Sequence, residues 1–147
     1  MNLLKIIAVA TILAASSAYA EEEPTDPKAI AREELMKIVG KNTGVLGDMA
    51  GGKSAFDAAA AGAAKTALVE ASAKIAETFK EPGAADPASS AKPEIWTNWE
   101  EFLKKADALN AAATAMDLAS AETIGAGMGG LGGACKDCHT TFRVMKQ

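Results

Sequence analysis

The sequence is poor in the residues that most often carry chemistry. Among its 147 residues there is one histidine, there are two cysteines, and aromatics make up 5%. One imidazole and two thiols give three soft ligands, one short of a closed zinc site. No segment shows the alternation of a β-strand, which removes the βαβ context that a thioredoxin-like thiol pair needs. Positive charge is short too: 15 Lys and Arg stand against 19 Asp and Glu, a formal charge of −4. Nucleic-acid binders carry a basic surface instead, so that class of partner is excluded. Beyond the first twenty residues no long apolar run remains, so the rest of the chain reads as soluble, with no stable membrane anchor.

What is present is concentrated. All three scarce ligands fall in Cys135-Lys136-Asp137-Cys138-His139, the C-x-x-C-H attachment signature of c-type haem. On a helix Cys135 and His139 stand at i and i+4 and share a face, with Cys138 beside them. Two thiols so placed can add across the two vinyl groups of haem while the imidazole takes the iron. A disulfide across two intervening residues would be strained. The motif therefore predicts one haem c, covalent through Cys135 and Cys138, with His139 as an axial ligand. A buried haem also supplies apolar volume that an alanine-rich, aromatic-poor interior lacks.

Residues 1–20 read as a cleaved signal peptide. Lys5 lies in a short basic n-region, residues 6–15 form an apolar stretch too short to span a bilayer, and Ala18-Tyr19-Ala20 is an A-x-A cleavage site. Residues 21–147 are then the mature haem-binding domain, exported, for a bacterial chain, to the periplasm. Loss of Lys5 takes the formal charge to about −5.

Four amphipathic helices are predicted. Asp26-Pro27 caps the first, whose inward line is Ala31, Leu35, Ile38, Asn42, Leu46 and Met49, ending near Gly51-Gly52. Ser54 caps the second, with Phe56, Ala60, Ala63, Ala67, Ala71, Ile75 and Phe79 inward, stopping before Pro82-Gly83. A loop with three prolines covers residues 80–93. Pro93 opens the third, with Trp96, Trp99, Leu103, Ala106, Asn110 and Ala113 inward, running to about Ala119. Ser120 opens the fourth, with Ile124, Met128, Leu131, Cys135, Cys138 and Phe142 inward, ending near Met145. The class is all-α, an antiparallel up-down-up-down four-helix bundle.

Gly125-Ala126-Gly127-Met128-Gly129-Gly130 matches G-x-G-x-x-G, but no strand precedes it and no acidic residue follows at the required distance. Six glycines between residues 125 and 133 either admit a close neighbour or leave the turn loose.

The second axial position decides the function. Of six methionines, Met1 leaves with the signal, Met128 and Met145 share the histidine's helix, and Met49 and Met116 fall near the far end. Met36 lies ~14 Å along the first helix from the end of the bundle, and His139 ~9 Å along the last from the same end. Met36 is thus the candidate ligand, packing against the haem being the alternative; Lys37 is a weak competitor pointing about 100° away. Arg32, one turn before Met36, and Arg143, one turn after His139, are candidates to pair with haem propionates.

These segments resemble the class II c-type cytochromes, the family of cytochromes c′ and c-556/c-554. The likeness runs through Arg32-Glu33-Glu34-Leu35-Met36 to Gly40, Val45-Leu46-Gly47, Lys92 to Trp96, and Gly132 to His139 with Phe142-Arg143. In that family the residue four after the first-helix arginine faces the iron: non-ligating in the five-coordinate cytochromes c′, methionine in the low-spin branch. The resemblance implies that Arg32 and Arg143 lie at the haem pocket and that homodimers form through helices 1 and 2. With Met36 in place it implies a one-electron carrier serving periplasmic or membrane-bound redox proteins, and no enzyme. The alternative is a cytochrome c′-like protein that binds nitric oxide or carbon monoxide.

Overall fold

Asp26 opens the first helix as its sequence predicts. In the computed structural model, which describes residues 23–145, the Asp26 carboxylate accepts from the N–H groups of Lys28 and Ala29, and Pro27 takes the first helical position, where no donor is missed. The expected signal peptide, residues 1–20, lies outside the described residues. Helix α1 spans Pro27–Ala50, α2 Ala58–Ala73, α3 Ile75–Thr78, α4 Glu94–Thr97, α5 Trp99–Ala115 and α6 Ala121–Phe142. Segments α2 and α3 are one arm bent at Lys74, and α4 and α5 one arm broken at Asn98, where φ is −123° and ψ 46°.

The four arms stand in a square. α1 packs on α2 and α6, and α5 packs on the same two, so that α1 and α5, like α2 and α6, stand across the diagonals. This is the predicted up-down-up-down order, and no strand is present among these residues beyond an isolated bridge between Ala91 and Arg143. Leu46, Leu68, Ile95, Ile124 and Leu131, fully buried, tie all four arms into one core.

Several expected boundaries and faces move. In α1 the buried line is Ala29, Arg32, Leu35, Val39, Leu46 and Met49, whereas Ala31 and Ile38 are exposed. Burying Arg32 turns the face about 100° from the line through Ala31. The second arm is capped by Asp57, not Ser54, and Phe56 stays exposed in the loop. Its buried line is Ala61, Ala64, Leu68 and Ala71, so Ala63 is exposed and Ala60 and Ala67 are half-buried. In the third arm Ile95, Phe102 and Leu109 are buried and Trp96, Trp99, Leu103 and Asn110 half-buried. That arm ends at Ala115 rather than Ala119, because Met116 turns extended and its carbonyl accepts from Lys65 Nζ at 2.8 Å. Helix α6 opens as predicted, with a capping box between Ser120 and Thr123. It stops at Phe142 rather than near Met145: Lys92 N–H donates to the Phe142 carbonyl and Val144 N–H to that of Ser90, which draws the tail into an extended course.

The long loop is fastened to α1 by two aspartates. Asp86 accepts from the N–H groups of Thr25 and Asp26 at 2.7 and 2.8 Å, and Asp26 also accepts from Ala84 N–H at 3.1 Å. Gly83 makes the approach possible: its φ is +76°, and a Cβ there would come within 2.8 Å of Lys28 Cβ. The Ala84 N–H foremost holds the Asp26 carboxyl below the usual range, and the Asp26 and Thr25 N–H groups do the same for Asp86. Both values are depressed on folding, so this contribution is complete above the unfolded value of ~3.9 and is lost as pH falls through the folded values. Thermal melts should therefore show Tm dropping as pH falls below about 4, and Asp86→Asn should melt lower at neutral pH with a flatter acid slope.

Candidate haem site

Between α1, α5 and α6 the bundle encloses a cavity of about 500 Å³, a size proper to a cofactor. Apolar side chains from every arm line it, among them Val39, Ile75, Phe79, Ile95, Phe102 and Phe142. The residues 88–91 of the loop close one side. Arg32, Met36, Cys135, Cys138, His139 and Arg143, the six residues singled out in the sequence, all line this single space.

Helix α6 presents Cys135, Cys138 and His139 on one half-buried face. The two sulfurs are not bonded to each other. Burial pushes the Cys135 thiol up and the Cys138 thiol to about 11. A thioredoxin-like pair needs the opposite shift, toward thiolate. Among the described residues no group of three or more His, Cys, Asp and Glu is placed to hold a metal ion by itself. Burial, then the charge of Arg143, lowers the His139 value, so its imidazole is neutral at pH 7 with a ring nitrogen free to bind iron. The G-x-G-x-x-G match lies inside α6, helical throughout, so no strand-to-helix turn exists there. At Gly127 the close-neighbour reading holds, since a Cβ would meet Met116 Sδ at 2.5 Å.

From α1, Arg32 and half-buried Met36 reach the cavity one turn apart. Arg32 is 4% exposed. Its Nη1 donates to the Glu81 carbonyl at 3.1 Å, and its guanidinium lies over Trp96 and Phe79, 5.3 and 5.8 Å from the ring centroids. Trp96 is held there by its Nε1–H, which donates to the Phe79 carbonyl at 2.8 Å. The Arg32 Nε–H is buried without a partner, a donor that an anionic group in the cavity would satisfy. Arg143 is exposed and follows the last turn of α6 in extended form, not helical as predicted. Lys37 is exposed and ion-paired with Glu33.

Sequence reasoning missed three parts of the wall. Phe102 belongs to a regular line with Ile95, Ala106, Leu109, Ala113 and Met116, which was readable, but the two tryptophans set the phase one residue off. Lys105, also on the wall, carries no periodic signal. Nor do Ser89, Ser90 and Ala91, which a fold-dependent loop path brings in.

A helical bundle with two unbridged thiols, a neutral imidazole and an orphaned buried guanidinium donor around one apolar cavity fits haem c, and defines a c-type haem protein. The model of the Cytochrome C′ family matches residues 28–143. Cytochrome c-556 of Agrobacterium fabrum is 37% identical over 119 residues, 78% of this chain and 80% of that one. Cytochrome c′ of Cereibacter sphaeroides is 32% identical, covering 97% of this chain and all (100%) of that one. Among solved structures, Rhodopseudomonas palustris cytochrome c′ superposes with a TM-score of 0.71 at 29% identity, covering 82% and 98% of the two chains. Cytochrome c556 of R. palustris gives 0.73 at 27%, with the same coverage. The chain belongs to the cytochrome c′ family, the class II c-type cytochromes of electron transport, and carries haem c covalently.

Two thioether bonds predict a simple chemical result. Acidified acetone should leave haem on the wild-type chain and extract it from the Cys135→Ala/Cys138→Ala double variant. Each single variant should move the pyridine haemochrome α-band to longer wavelength, as one vinyl group is restored.

Proposed function

We propose that the protein is a periplasmic low-spin electron carrier in which His139 and Met36 are the two axial ligands. The observation that carries this reading is that Met36 is the only methionine on the cavity wall among the described residues, on a helix that packs directly against the one bearing His139. The competing donors are occupied: Lys37 bonds Glu33, which raises its value and keeps it protonated, and Lys105 is likewise paired with Asp137. A bound haem supplies a one-electron iron couple, which thioether ligation biases toward Fe(II).

The chain's own residues do the rest. Cys135 and Cys138 tether the ring, and the apolar wall excludes water. Arg32, with a free buried Nε–H, and Arg143 hold the propionates. The sole histidine is committed to iron, so no acid–base pair remains for catalysis, and the protein is not an enzyme. Electrons pass to periplasmic or membrane-bound redox proteins in short encounters steered by surface charge. No described helix is long and apolar enough to cross a membrane.

The ferric protein should show a low-spin visible spectrum with the near-infrared band of methionine–Fe(III). Met36→Ala should abolish that band, give a high-spin spectrum, and make the reduced protein take up carbon monoxide quickly. A wild-type protein that is already high-spin and reactive, with Met36→Ala unchanged, would assign the protein to gas binding instead.

The protein also pairs with itself through α1 and α2. Supporting this are Ile30 and Ile38, 37% and 46% exposed on the outer side of α1. Sedimentation equilibrium should show a dimer, weakened at least tenfold by Ile38→Lys, the scale of burying an unpaired charge.

A further inference from the structure

One half-buried cation on the cavity wall has no role in holding the haem. Lys105 rises from α5 with only 15% of its side chain exposed, and it lines the cavity beside Cys138. Its Nζ lies 2.5 Å from Asp137 Oδ2 and 3.7 Å from Glu101 Oε1. Asp137 is the residue between the two cysteines that immediately precedes Cys138. The ion pair therefore joins the middle of the attachment motif to the neighbouring helix.

We propose that the Lys105–Asp137 pair sets the reduction potential of the haem, with Lys105 as the stabilising charge for Fe(II) and Asp137 as its counterweight. The two charges differ in environment. Lys105 reaches the cavity along a mostly buried stem, whereas the Asp137 side chain is 69% exposed and screened by water. Hydrogen bonding to Asp137, ahead of every other influence, keeps Lys105 protonated. Reduction adds one electron to iron from an external donor, with no bond made or broken, so a fixed positive charge on the wall favours the reduced form. The inference needs only haem attached at Cys135 and Cys138 and is independent of whether Met36 binds iron.

Spectroelectrochemical titration of the holoprotein against a mediator of fixed potential tests it. Lys105→Met keeps the apolar stem and removes the charge, and should move the Fe(II)/Fe(III) ratio roughly threefold or more toward Fe(III). Asp137→Asn should move it by a smaller factor toward Fe(II), and the double variant should fall between the two single variants, on the Fe(III) side of wild type. A pair that only braces the attachment helix would instead lower the melting temperature of both single variants and shift their potentials in the same direction. Shifts of one sign, or none, overturn the proposal. Asp137→Asn lies at the surface, so its shift alone decides the sign should Lys105→Met fail to fold, and Lys105→Arg should then restore the wild-type ratio.

Discussion

The structure is governed by a geometric demand: the two thiols that carry the haem stand on one face of one helix, with an imidazole beside them, and must address the same flat ring. Cys135, Cys138 and His139 fall at i, i+3 and i+4, so their face spans barely more than a turn of α6. A ring bound there needs depth on its far side, and the bundle makes that depth by setting Ile75, Phe79, Ile95 and Phe102 back as a wall. The break at Asn98 and the bend at Lys74 lie in the two arms that supply this wall. The aromatic group formed by Phe79, Phe102, Trp99 and Phe142, with centroids 5.2 to 5.4 Å apart, is where the two bent arms meet the attachment helix.

Charge is handled in the same spirit. The cavity holds one deeply buried cation, Arg32, which is tolerable because a carbonyl and two aromatic faces replace part of its hydration. Burial nonetheless lowers its value, which marks an incomplete set of partners. Seen with the orphaned Nε–H, the site is built to receive a negative group, and the haem side chains offer one.

The sequence made the chemistry legible and left the phasing of the helices less so. C-x-x-C-H at the end of a chain with no other histidine or cysteine permits few alternatives, and Asp26-Pro27 and Ser120 are caps with a local mechanism. Phase failed where contrast was missing. The second arm offers almost uninterrupted alanine, so Ala60, Ala63 and Ala67 were as plausible as Ala61 and Ala64, and only Leu68 marks the true face. In the first arm hydropathy put Ile38 in the core, where it is exposed, whereas Arg32 was placed at the pocket by its spacing from Met36 and not by hydropathy. Lys105 shows a different limit: its partner lies 32 residues away on another helix, and no local pattern encodes that meeting.

The glycines of α6 carry a consequence for how the molecule is made. Gly129, Gly130, Gly132 and Gly133 have no protein atom within 4 Å of where a Cβ would sit, so packing of the chain does not require glycine at these four. Each instead costs the helix roughly 1 kcal/mol of intrinsic propensity. The segment that carries the two thiols is thus little inclined to coil by itself, and its winding rests on the packing of α6 against α1 and α5.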